Sequence, residues 1–214
     1  MPLSSPRNRI LRASAKLFAT YGFKGTTTRA IAAEANTSLS VIHSHFPSKE
    51  LLYQAVIDQA GLAYFESSSD VICKIKQSEK AGTLHGENAW LLIVELIDSL
   101  IDYAFNEDYV YELQLIHNEF AFPQFLSKYP LSSMGVYRIL EELFAKYLQT
   151  EKKEWMSYLS YTIINTAFLF SFSGDFSYHI IGLNADSIED KNKVKFFLRK
   201  YILSSIESNL KLYQ

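Results

Sequence analysis

The 214-residue chain carries 21 basic and 23 acidic side chains, with 48% hydrophobic and 21% charged residues, a balance that suits one large globular domain or two modest ones. Its single Cys73 excludes an intrachain disulfide, and no charged segment leading into an apolar leader opens the chain, so a reducing, cytoplasmic setting is expected. The net charge of −2 hides a split. Residues 1–50 hold seven basic side chains (Arg7, Arg9, Arg12, Lys16, Lys24, Arg29, Lys49) against Glu34 and Glu50, while the remainder holds 14 basic and 21 acidic groups. A basic N-terminal quarter on an acidic body fits one part that meets a polyanion and one that does not.

In chain order, Ile10, Leu11, Leu17, Phe18 and Tyr21 recur at helical spacing, and Gly22 offers a stop, which predicts a first helix over 6–21. Thr26 to Thr28 supply hydroxyls for the next N-cap, and Ile31, Ala32 and Ala35 form the apolar side of a second helix over 28–35. Asn36 tolerates the left-handed conformation that a sharp turn demands, and Ser38 caps a third helix. Residues 100° apart place Ile42 and Phe46 together as an anchor, with Leu39, Ser40, His43 and Ser44 on the opposite face, free to touch something. Pro47 ends that helix and Ser48 caps the fourth. Lys49 then stands in a first turn, where the macrodipole disfavours a cation by about 0.3–1 kcal/mol; a phosphate nearby would offset this.

The stretch ILRASAKLFATYGFKGTTTRAIAAEANTSLSVIHSHFPSKELL resembles the N-terminal domain of the tetracycline-repressor (TetR) family of bacterial transcriptional regulators, through Leu17-Phe18-Ala19, Gly22-Phe23, Thr26-Thr27, Ile31-Ala32, Ser38, His45-Phe46 and Lys49-Glu50-Leu51. The resemblance implies that Thr27, Thr28, Arg29, Ser38, Leu39, Ser40, His43, Ser44, His45 and Lys49 lie at or near DNA. The family usually has Gly where this chain has Asn36 and Tyr where it has His43. Arg29 is the one long donor on the second helix, and a bidentate pair with guanine is the commonest specific base contact. His43 and His45 are two apart on a helix and point about 200° from each other, so they do not share a metal ion.

Downstream, a long fourth helix is expected from Ser48 towards Ile75, then a loop KQSEKAGTLHGEN, and further helices at about 88–106, 108–121, 132–149, 153–181 and 189–211. Glu95, Asp98 and Asp102 share a face within about 60°, either as a solvated stripe or as a wall for a cation. From Trp155 to Gly174 no residue is charged, but seven Ser, Thr and Asn side chains dilute the run, so a helix enclosed by protein accounts for it better than a membrane span. On the last helix Val194, Phe197, Leu198 and Tyr201 group on one side, and Phe196, Leu203, Ile206 and Leu210 about opposite. The second stripe is the expected homodimer interface, as in the resembled family, whose last two helices pair with their twins.

The 14 Tyr and 15 Phe suit either a plain core or an aromatic-lined pocket, for which Trp90, Tyr103, Tyr111, Glu119, Phe122, Trp155 and Phe172 are candidates. No metal, cofactor or catalytic constellation is expected, because neither HExxH, paired Cys nor a glycine-rich phosphate loop occurs. The sequence thus reads as an all-α protein with a helix-turn-helix domain over 1–50 and a helical effector-binding and dimerisation domain over 51–214. It would be a homodimeric repressor of a palindromic double-stranded operator, released by an unknown small-molecule effector, an effector step implied by the resemblance alone. The competing reading is a helical adaptor whose divergent helix-turn-helix has lost DNA binding.

Overall fold

A computed structural model describes residues 5–121, 135–173 and 175–212, and all their regular structure is helical. They fall into two compact units. One comprises the residues up to Ala63 with those from Tyr109 to Ala121; the other comprises Tyr64 to Asp108 and the residues from Gly135 onward. The division between these units lies inside the fourth helix, and a later helix joins the first unit.

The first unit contains α1 (Pro6–Gly25), α2 (Thr28–Glu34), α3 (Leu39–His45), most of α4 (Lys49–Ser67) and α7 (Val110–Ala121). Helices α2 and α3 have only seven residues each, too short to persist alone, and their starts are fixed by side-chain caps. Thr27 Oγ1 accepts from the Ala30 amide at 3.1 Å, Ser38 Oγ from Val41 at 3.4 Å, and Ser48 Oγ from Leu51 at 3.2 Å. The core gathers Ile10, Leu11 and Phe18 of α1, Ile31 of α2, Ile42 of α3 and Phe46 at its C-cap, Leu52 and Val56 of α4, and Leu115 of α7. Gly22 leaves the helical course where the stop is expected (φ 69°, ψ 171°), and one further turn follows it to Gly25.

The second unit is built round α6 (Gly86–Ala104), whose Leu92, Ile93, Leu96, Ile97, Leu100 and Ile101 are all buried. Against it pack α5 (Ser69–Lys80), α8 (Gly135–Leu148), α9 (Glu154–Ser173) and α11 (Ile188–Leu212), and the short α10 (Asp175–Ile180) packs on α9. The expected single rod from Ser48 to Ile75 is broken at Ser68 (φ −101°, ψ 10°), whose buried hydroxyl lies 3.1 Å from that of Ser99 on α6. The expected loop over 76–88 shrinks to five residues, since α5 continues to Lys80 and α6 begins at Gly86.

Two expectations about the last helices need correction. On α11 the buried line is Val194, Leu198, Ile202, Ile206 and Leu210, a strict step of four. Each such step rotates the contact by about 40°, so Val194 and Leu210 lie about 160° apart on a helical wheel although both face the same core. Ile206 (0% exposed) and Leu210 (3%) are therefore core residues of this chain and not free for a partner, while Phe197 (59%) and Tyr201 (55%), expected inside, are outside and stacked at 6.1 Å. Leu203 is half-buried and Phe196 is exposed. Nor is α9 enclosed on all sides within this chain, because Ser157, Tyr158, Tyr161 and Thr162 are exposed opposite Met156, Leu159, Ser160, Ile163 and Ala167.

Candidate nucleic-acid interface

The turn between α2 and α3 shapes the candidate surface. Asn36 takes φ 48°, its amide donates to the Ala33 carbonyl at 3.2 Å, and the Thr37 amide donates to that of Ala32 at 2.9 Å. Only a residue tolerant of the left-handed region closes α2 so tightly, and the closure sends α3 off at once from its Ser38 cap. Ile42 (1% exposed) and Phe46 (5%) then seat α3 on the core, as their spacing requires. The guanidinium of Arg7, at the start of α1, stands over the Phe46 ring at 5.5 Å, a contact that no local pattern in the sequence announces.

With α3 so seated, Ser40, His43, Ser44 and His45 are exposed, as are Thr27, Arg29 and Ser38 on the same corner of the unit. Thr28 is half-buried. Leu39, expected on the open face, is half-buried and packs against the core cluster. Two of the short hydroxyls are engaged locally: Ser40 Oγ lies 2.8 Å from Ser38 Oγ, and Ser44 Oγ donates to the Val41 carbonyl at 2.8 Å. Arg29 is the long donor held out to solvent from this corner. Lys16, another of the seven N-terminal cations, is neutralised by Glu34 at 2.6 Å, a pair that raises the lysine pKa chiefly through that hydrogen bond.

Lys49 is placed differently from a lysine reaching outward. Its ammonium donates to the carbonyl oxygens of Phe23 (2.9 Å) and Thr26 (3.1 Å) and stands 4.3 Å from the centroid of the Phe23 ring. That ring belongs to an aromatic trio: Phe18 and Phe23 stack at 6.0 Å, and Tyr53 meets both edge-on at 4.9 and 5.2 Å.

The aromatic residues expected to line a pocket fall in both units. Tyr111 packs at the core of the first unit; Tyr103, fully buried, meets Phe168 edge-on at 6.2 Å in the second; Trp90 lies 5.5 Å from Tyr147, and Trp155 is half-buried. Phe122 and the side chains of Glu119 and Phe172 lie outside the described residues. Two open clefts are defined by other residues. One of about 570 Å3 runs between Leu17, Tyr21, Ala30 and Glu34, and one of about 630 Å3 between Glu79, His85, Glu142, Lys146 and Thr150.

The acidic face of α6 is occupied by bases. Arg199 of α11 grips Asp98 with two bonds of 2.7 and 3.2 Å, Lys195 reaches Asp102 at 2.7 Å, Lys74 of α5 reaches Glu95 at 2.6 Å, and Lys191 pairs with Glu107 just beyond α6. The stripe is thus a set of surface ion pairs rather than a wall for a cation. Among the described residues no group of three or more His, Cys, Asp or Glu is placed to hold a metal ion, and no helix is long and apolar enough to cross a membrane.

A seven-residue helix seated by two apolar anchors, preceded by a tight turn and a second short helix, is the geometry of a helix-turn-helix, the class of head that transcriptional regulators lay in the major groove. Residues 10–56 match the family described as bacterial regulatory proteins, tetR family. No curated protein sequence matches the chain. Among solved structures, a TetR-like transcriptional regulator from Rhodococcus sp. RHA1 superposes with a TM-score of 0.66 over 97% of this chain and 98% of its own, at 14% identity. A transcriptional regulator of the TerR/AcrR family from Aquifex aeolicus VF5 superposes at 0.60 over 98% and 100%, at 20% identity. The TetR family regulator PfmR from Thermus thermophilus superposes at 0.61 over 92% and 97%, at 14% identity. At these identities the likeness speaks for the fold, which extends over both units.

Proposed function

We propose that the protein is a cytoplasmic homodimeric repressor that binds a palindromic operator through two copies of the α2–α3 head and is released by a small molecule bound in the body. The observation that carries the DNA-binding reading is the exposed corner of Thr27, Arg29, Ser38, Ser40, His43, Ser44 and His45, presented on a basic head by buried anchors. Thr28, Leu39 and Lys49 border it half-buried. With short side chains on α3, Arg29 carries the base reading and the hydroxyls and imidazoles meet phosphates. No catalytic role is proposed.

For the dimer, exposed Tyr158 and Tyr161 on α9, with Phe196, Phe197 and Tyr201 on α11, supply the aromatic surface that a two-fold partner would cover; Phe196 is the exposed member of the stripe expected from the sequence. Selection of duplexes by the purified protein, followed by binding between 50 and 200 mM salt, tests the function. A two-fold symmetric site is expected, with affinity falling roughly 10³- to 10⁵-fold for six to ten phosphate contacts. Recovery of no sequence, or binding indifferent to salt, would favour the adaptor reading. For the dimer, Phe197→Glu is expected to sediment as a monomer; an unchanged dimer places the interface elsewhere.

A further inference from the structure

We infer that Lys49 is a positioning residue, which locks the start of α4 to the α1–α2 corner and thereby sets the angle at which α2 presents Arg29 to DNA, instead of touching a phosphate itself. The inference rests on the DNA-binding reading above. A lysine in the first turn of a helix faces the positive end of the macrodipole and needs an electron-rich partner. The partner is within the head: the carbonyls of Phe23 and Thr26, in the last turn and at the end of α1, together with the face of the Phe23 ring. Two of the three ammonium protons are thereby used.

The Thr26 carbonyl shares its peptide plane with the amide of Thr27, the N-cap of α2. Holding that oxygen therefore orients the plane from which α2 departs. Thr26 is clamped from its other side as well. Its buried hydroxyl lies 2.9 Å from each of the carbonyls of Leu17 and Gly22, and its amide donates to Gly22 at 3.2 Å. One turn further along α4, Tyr53 presses on the same Phe23 ring at 5.2 Å, so α4 holds the corner at two points, by a charge and by an edge. Three residues beyond Thr26 stands Arg29, exposed and directed by whatever course α2 takes.

The test compares the full-length wild type with Lys49→Met, which keeps the aliphatic stem over Phe23 and removes the donors. Affinity is measured for the selected duplex and for an unrelated duplex of equal length, each across 50–200 mM salt, alongside amide exchange over residues 23–30. Positioning predicts a specific-to-nonspecific ratio about tenfold lower, an unchanged salt slope, and faster exchange at Thr26 to Ala30. A phosphate contact would instead weaken both duplexes alike and lower the slope by about one, which overturns the inference. Unchanged exchange together with an unchanged ratio overturns it equally. Should Lys49→Met fail to fold, Lys49→Arg keeps the charge but cannot place a single nitrogen between both carbonyls, and is expected to lose the ratio at constant slope. If the wild type binds no duplex, the DNA-binding reading fails while the exchange arm still reports whether the lock exists.

Discussion

Substitution at Asn36 isolates the cost of the left-handed turn that separates α2 from α3, because the residue is exposed. At φ 48° an L-residue pays roughly 1–2 kcal/mol relative to the right-handed region, a cost that Asn lessens and Gly avoids. Gly in turn loses about 0.5–1 kcal/mol through the greater freedom of its unfolded chain. The difference predicts Asn36→Gly near wild type and Asn36→Ala destabilised by about 0.5–1 kcal/mol relative to Gly. Asn36→Val falls lowest, since a branched side chain at positive φ is strained most. The order is the reverse of that inside a helix, where Ala beats Gly. The assay is amide exchange at Asn36 and Thr37, whose amides close the turn on the carbonyls of Ala33 and Ala32, and through α3. One kcal/mol of local destabilisation accelerates exchange about fivefold. Protection in Asn36→Val equal to wild type, or a Gly variant less protected than the Ala variant, would refute the backbone account.

A methyl group at Gly135 would stand 2.6 Å from Cζ of Phe65, so Gly135→Ala should lower the denaturant midpoint of the second unit by an equivalent of about 1–3 kcal/mol. Trp90 and Trp155 both lie in that unit, so intrinsic tryptophan fluorescence follows it, and an unchanged midpoint would mean the ring moves aside freely. Burial pushes the phenols of Tyr137 and Tyr178 up to about 12. A raised folded-state value means the stability these groups contribute is intact below the ordinary value of about 10 and is lost as pH climbs through the folded one. Titration of phenolate absorbance should therefore show two tyrosines ionising late or together with alkaline unfolding; their ionisation near 10 in folded protein would contradict the burial.

The head was legible in the sequence because its determinants are local. Thr27, Ser38 and Ser48 cap helices that begin one residue later, Asn36 turns the chain at its own position, and Ile42 and Phe46 are one helical turn apart. Lys49 defeated the same reasoning because its partners are backbone oxygens 26 and 23 residues away, and a carbonyl leaves no mark on residue identity. The break at Ser68 was hidden for a similar reason: neither Gly nor Pro signals it, and the hydroxyl that meets it comes from Ser99. On α11 the wheel was right about angles and wrong about burial, since the core follows a line stepping by four around the helix instead of a straight stripe. The same drift turned Phe197 and Tyr201, expected inside, towards solvent.

The ion pairs between α6 and α11 have a consequence for how those helices find each other. Asp98 and Asp102 ascend one helix while Arg199 and Lys195 descend the other, each pair four residues apart, with Glu107 and Lys191 continuing the series. Slide α11 by one turn and Lys195 meets Asp98 while Lys191 meets Asp102, so most of the attraction survives. Such a ladder works like a zip fastener with identical teeth: with acids alone on one helix and cations alone on the other, it holds the two faces together but is nearly blind to their offset, and equally to their direction. The offset has to be read from shapes, by the unequal knobs of Val194, Leu198 and Ile202 beneath it, and the two codes together leave one alignment.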